Sequence, residues 1–185
     1  MLTLQRYARQ SGMTLIELMV TVSIAAILAS VATPSFTSFL RNTEVRGSAE
    51  SLTQGLQFAR TEAVRRNQQV CFDWSGGGTG WTVSTGCALA PGSVPAANVI
   101  QTSPNRDGSS VTVVAMTPAA SRRVTFNAFG RVIPNPAGGT SITRIDVTAA
   151  NASMQRRILV SAGDSSGRIF VCDPSAAAGT QMACS

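Results

Sequence analysis

Histidine is absent from this 185-residue chain, and so is lysine. Without histidine the chain lacks the side chain that most often serves as a general base near neutral pH, and the commonest metal ligand. All 15 basic residues are therefore arginine, against nine carboxylates, for a net charge of +6. An all-arginine inventory supplies permanent charge and forked donors suited to carboxylates and phosphates. Biased codon usage produces the same inventory. No CxxC pair suggests zinc. The glycine run "SGGGTG" lacks GxGxxG spacing, a following helix and a lysine, so it does not read as a phosphate cradle. Asp73, Asp107, Asp146, Asp164 and Asp173 are scattered without the spacing of a calcium loop, and a serine nucleophile has no base. Neither enzymatic activity nor a cofactor is expected.

Charge is also missing from Leu18 to Leu40. As a helix rising 1.5 Å per residue, that run spans a hydrocarbon core of about 30 Å. Arg6 and Arg9 precede it, so the positive-inside bias keeps the N-terminus cytoplasmic and sends the rest outward, into the periplasm of a bacterium. One carboxylate, Glu17, lies within the apolar stretch "SGMTLIELMVTVSIAAILAS". A carboxylate at a bilayer centre costs on the order of 2.5–3.5 kcal/mol on insertion scales. A cleaved secretory signal would end at the small-x-small site Ser30, Val31, Ala32, but Glu17 suits its apolar core poorly.

The hexapeptide "GMTLIE", Gly12 through Glu17, resembles the type III signal of type IV prepilins and pseudopilins. That resemblance implies cleavage after Gly12 by a prepilin peptidase, N-methylation of Met13, and a glutamate fifth in the mature chain, which is Glu17. Pro34 falls at the mature position where the family tends to place a proline. The resemblance further implies that Glu17 pairs with the new N-terminal amine of a neighbouring subunit. A paired charge is less costly in the apolar layer than two lone ones.

After Pro34 the helical pattern continues. Val45, Ala49, Leu52, Leu56, Ala59 and Ala63 form a seam of period 3.5 that is expected to pack on a sheet, on a helix from about Leu15 to Arg66. Pro34 removes a backbone donor and is expected to bend or loosen it. From Gln69 the texture becomes short strands with turn signals. A hairpin joins "QVCFDW" to "WTVSTGC", and further strands are expected at 98–101, 110–116, 122–126, 130–133, 142–148, 155–161 and 167–172, as two small antiparallel sheets. The domain plan is a leader at 1–12, a membrane and assembly helix at 13–40, an amphipathic half at 41–67 and a β-rich head at 68–185.

The four cysteines all follow the apolar run, which reads as disulfides in an oxidising compartment. Cys71 and Cys87 are equally far from residue 79 and are expected to face each other across the hairpin and form a disulfide. The tail "CDPSAAAGTQMACS" pairs Cys172 with Cys184.

The "W…GW.V" hairpin, "FNAFGR" and the final "GRIFVC" together resemble the GspH/FimT family of minor pilins and pseudopilins. The fold implied is α+β, the type IV pilin fold, with a long N-terminal helix packed on the head. The implied function is that of a structural subunit of a type IV pilus, priming or capping the filament. Its partners would be the prepilin peptidase, other major or minor pilins or pseudopilins, and the inner-membrane assembly platform. The implied location is the bacterial inner membrane, single-pass, head in the periplasm. A terminal disulfide loop is more typical of pilins than of secretion pseudopilins. Two alternatives stay open: a type II secretion pseudopilin, and a minor pilin that binds DNA in natural transformation. For the latter the comparable element is Gly167–Arg168, with Arg156 and Arg157 as further candidates, although the family's second arginine is replaced by Phe170. From Gln69 onward eight arginines face five carboxylates, a modest surplus for a DNA footprint.

Overall fold

The structure, a computed structural model, describes residues 12–104, 112–161 and 167–184, and for 31–34 the backbone only. The expected leader up to residue 11, Asp107, Asp164, the start of the strand expected at 110–116 and the side chain of Pro34 lie outside the described residues.

Helix α1 runs Leu15–Arg66, passing through Pro34. Thr14 caps its start: the Glu17 amide donates to Thr14 Oγ1 at 3.3 Å and the Leu18 amide to the Thr14 carbonyl at 3.1 Å. "TLIE" thus has the Thr-x-x-Glu spacing of a capping box, with Glu17 in the third helical position. Asn67, at φ 51°, ends the helix in the left-handed region. Its amide bonds the Val64 carbonyl while the Gln68 amide bonds that of Ala63, which satisfies two of the last orphan carbonyls.

The chain divides into two compact units, Met1–Thr37 and Ser38–Ser185. In the first, every described side chain from Gly12 to Ser30 is exposed, large apolar ones included. Its hydroxyls turn inward on their own helix. Thr21, Ser23 and Ser30 donate to the carbonyls of Leu18, Met19 and Ile27 at 2.7–2.9 Å. Such back-bonding removes the need for water at those groups.

Among the described residues, the second unit holds the rest of α1 and nine strands. One sheet takes β1 (Val70–Trp74), β2 (Trp81–Ser84), β3 (Val99–Ser103), β5 (Arg123–Phe126) and β6 (Val132–Ile133) in the order β3-β2-β1-β5-β6. The other takes β4 (Thr112–Thr117), β7 (Arg144–Ala149), β8 (Arg156–Val160) and β9 (Ile169–Cys172) in the order β4-β7-β8-β9. Every strand pairing is antiparallel. All six seam residues, Val45 to Ala63, are buried at no more than 2 % exposure. They join Phe72, Val83, Val124 and Phe126 of the first sheet and Ile145, Val147, Ile158 and Val160 of the second in one core. The period-3.5 stripe therefore covers both sheets at once.

Outside the seam, α1 also meets the head closely at Gly55, Asn42 and Arg60. Gly55 lets Trp81 and Phe72 approach so closely that a Cβ there would lie 2.7 Å from the Trp81 ring. Asn42 accepts the amides of Ser153 and Met154, both at 3.0 Å, and so holds the β7–β8 turn. Arg60 Nε donates to the Gly130 carbonyl at 3.1 Å in the β5–β6 turn.

The hairpin corrects the cysteine geometry expected across it. Trp74 pairs with Trp81 and Cys71 with Ser84, so the turn centres between residues 77 and 78, and Cys87 lies three residues beyond the ladder. Cys71 and Cys87 are brought together all the same, as two buried free thiols and not as a disulfide. Both donate toward one acceptor, the Ser84 carbonyl, at 3.4 and 3.8 Å. The contact with Cys71 and burial push the Cys87 thiol up from its ordinary range. Cys172 and Cys184 form the expected disulfide, with a Cα–Cα distance of 5.1 Å.

Candidate assembly site

The residues that carry the processing motif meet almost nothing. Gly12 is exposed, and a Cβ built on it has no atom within 4 Å. Its φ is not among the positive ones, so neither packing nor backbone conformation in this chain calls for glycine there. Met13 is 63 % exposed and precedes the helix cap. The Glu17 carboxylate, exposed on the first turn, meets no counter-ion among the described residues. Its position does place it beside the partial positive charge of a helix N-terminus, which favours a carboxylate. α1 contains an 18-residue window apolar enough to cross a membrane, none of it buried.

In the head, four arginines are ion-paired with Asp73, Asp146 and Asp173. Arg123 is 2 % exposed and forms a bidentate pair with Asp73, Nε to Oδ1 at 2.5 Å and Nη2 to Oδ2 at 2.7 Å. Its Nη1 donates to the carbonyls of Cys87 and Leu89, which fastens the loop after β2 over the sheet face opposite α1. Neither partner was legible as a pair, since they sit 50 residues apart on strands whose register the sequence leaves open. Asp73 and Asp146 lie within strands, not turns.

The three arginines expected to touch DNA do not share a face. Arg156 and Arg157 are successive residues of β8 and so point to opposite sides of the sheet. Arg156 bonds Asp173 at 2.7 Å and Arg157 bonds Asp146 at 2.6 Å. The Arg168 guanidinium lies 4.5 Å from the centroid of the Phe170 ring. Among the described residues no cluster of three or more metal-ligating side chains occurs.

The family profile described as Type II transport protein GspH matches residues 48–179, and the one described as Prokaryotic N-terminal methylation motif matches residues 7–33. No curated protein matches the chain. Two crystal structures of the type IV minor pilin FimU from Pseudomonas aeruginosa are similar to it. One is 22 % identical with a TM-score of 0.53, covering 75 % of this chain and 98 % of FimU. The other is 21 % identical with a TM-score of 0.50, covering 71 % and 98 %. At that identity the likeness establishes the fold, a long helix packed on antiparallel sheets, as in type IV pilins. With the head matched over most of its length and the N-terminal motif matched ahead of it, the chain belongs to the GspH family of minor pilins and pseudopilins.

Proposed function

We propose that this chain is a minor subunit of a type IV pilus that assembles through its N-terminal helix and primes or caps the filament. The observation that carries the reading is Glu17. It is the only charge in an exposed apolar stretch, and among the described residues it has no counter-ion. In the proposed cycle, a prepilin peptidase cuts the leader (1–12) after Gly12, where an open, unpacked glycine fits an enzyme subsite and serves nothing in the chain itself. The amine of Met13 is then methylated. The helix at 13–40 anchors the subunit in the inner membrane as a single pass, with 41–67 and the head at 68–185 in the periplasm. On assembly Glu17 meets the Met13 amine of a neighbouring subunit, and Pro34 contributes local helix compliance within the filament. The product of this activity is a structure, not a reaction.

Mass spectrometry of the mature protein tests the processing, which requires a methylated N-terminal Met13. A mature chain that begins at Thr33 would remove the anchor and refute the reading. Glu17→Ala is expected to insert in the membrane yet fail to enter filaments. Unchanged co-assembly of that variant counts against the pairing. The family description, a type II transport protein, supports a second reading as a secretion pseudopilin. A deletion strain scored for twitching, secretion and transformation separates the two, and also reports on DNA uptake.

A further inference from the structure

Beside the buried seam of α1, the head leaves a groove open. One wall is a helix face that includes Thr53, Gln57 and Val64; the other is β9 with Met182 of the C-terminal loop. Two cavities of about 470 and 570 Å³ lie along it, the first reaching Val171 and the second Ile169. Val171 and Ile169 pair with Ile158 and Val160, which are buried toward α1, so both face the groove while Phe170 faces away.

β9 is the last strand of its sheet, and among the described residues no strand pairs with its outer edge. The C-terminal loop covers only the end of that edge, where the Cys172–Cys184 disulfide ties it to β9 and Asp173, the residue after β9, bridges to Ala183 and donates its amide to the Met182 carbonyl. Natural sheets guard such edges with charge, proline or a bulge. β9 reads Ile-Phe-Val-Cys, with neither charge nor proline, and Phe170 and Val171 are 43 % and 37 % exposed. Four guanidinia, those of Arg46, Arg60, Arg65 and Arg156, line the groove with one carboxylate, Glu50. Glu50, Glu62 and Asp173 are ion-paired with Arg46, Arg65 and Arg156, and Arg60 donates to the Gly130 carbonyl, so the surplus along the groove is the single charge of Arg60.

We propose that this groove receives an extended, partly acidic segment of a different pilin subunit, which adds a strand to the edge of β9. The inference rests on the subunit reading above. An extended backbone is required because the edge offers a row of amides and carbonyls, and a helix has already paired its own. From Arg46 to Arg65 α1 rises about 28 Å, enough for roughly eight extended residues. Alternate apolar side chains of the guest would lie on Val171 and Ile169, and a carboxylate would meet the arginine rim.

The test places the photo-cross-linker benzoylphenylalanine at Val171 or Gln57 of the full chain in its own cells, with exposed Gln101 on β3 as control. Adducts at both groove positions to one contiguous stretch of another pilin, and none at Gln101, are expected. Val171→Lys should lower the chain's share of the filament fraction about tenfold, with its unfolding midpoint unchanged. Equal adducts at Gln101, an adduct to a second copy of this chain or to a non-pilin, or normal incorporation of Val171→Lys overturns the inference. A folded chain absent from filaments altogether overturns the subunit reading and this inference together. A chain present in filaments without groove adducts overturns this inference alone.

Discussion

Removing the Asp73 carboxylate should damage the head more than any surface ion pair does. Arg123 is 2 % exposed and its side chain donates to four oxygens: both of Asp73, plus the carbonyls of Cys87 and Leu89. In Asp73→Ala the guanidinium keeps its charge, loses two charged bonds and cannot reach water. Deleting one partner of such a buried pair costs about 3–5 kcal/mol. In a chain of this size each kcal/mol moves Tm by about 2–4 °C, so the midpoint should fall by about 6–20 °C. The double variant Asp73→Leu, Arg123→Met removes both charges together. It is left with two carbonyls lacking donors, at about 1–3 kcal/mol each, and sheds the desolvation of two ions. It should therefore be less destabilised than the two single losses added together. The assay is a double-mutant cycle by thermal unfolding of the detergent-solubilised full chain. A loss below about 1 kcal/mol for Asp73→Ala, in the range of an exposed pair, would refute the reasoning. So would strict additivity, because it would mean that the two groups do not depend on each other.

Gly55→Val places carbon within 2.7–2.8 Å of the Trp81 and Phe72 rings, and overpacking of that kind costs about 1–3 kcal/mol, read as a lower urea midpoint with altered tryptophan fluorescence. Serine at Cys172 and Cys184 opens a loop of sequence separation 12 and should lower stability by about 3 kcal/mol in chemical unfolding with the first pair of cysteines unchanged. The Arg65 and Arg66 hydrogen bonds hold the Glu62 carboxyl down to about 2 from an ordinary 4.5. Because the folded value lies below the unfolded one, this stability is complete above pH 4.5 and is lost as pH falls toward 2. Helix pairs of this spacing contribute about 0.3–0.5 kcal/mol each, so Glu62→Gln should flatten the acid limb by less than about 1 kcal/mol.

The helix was legible because its signals are periodic and local. A stripe repeating every 3.5 residues needs no knowledge of what it packs on, and its end is marked where the seam stops and Asn67 turns left-handed. The strands from Val99 onward fall within a few residues of expectation for the same reason. Register was not legible. The turn of the first hairpin centres ahead of residue 79, so counting outward from that residue set Cys71 opposite the wrong partner. The burial of Arg123 was not legible, because it depends on a carboxylate 50 residues away in sequence that only the pairing of β1 with β5 brings alongside. Gly55 did carry a signal: glycine in a helix interior costs about 1 kcal/mol against alanine, so its presence beside the seam residue Leu56 pointed to a close contact there. Asn42 carried none, since a helix-surface asparagine reads as solvent-facing until the β7–β8 turn is placed over it.

On the subunit reading, the place of Glu17 within the helix resolves a conflict between insertion and assembly. A carboxylate useful for pairing must be poorly satisfied in the lone subunit, yet one too poorly satisfied would keep the helix out of the bilayer. The third helical position softens the penalty, because the exposed amides of the first turn favour a negative charge by about 0.3–1 kcal/mol, up to about 2 in sheltered settings. Against an insertion cost of about 2.5–3.5 kcal/mol, between about 0.5 and 3 kcal/mol remains uncompensated. That remainder is small enough for the long uncharged run behind it to outweigh, and large enough to favour a neighbour's amine. The same carboxylate one turn deeper would lose the helix-end contribution, since that effect fades within the first turn. Moving the acid to Thr21 in a Glu17→Ala background should therefore impair membrane insertion as well as filament entry, whereas Glu17→Ala alone impairs only the latter.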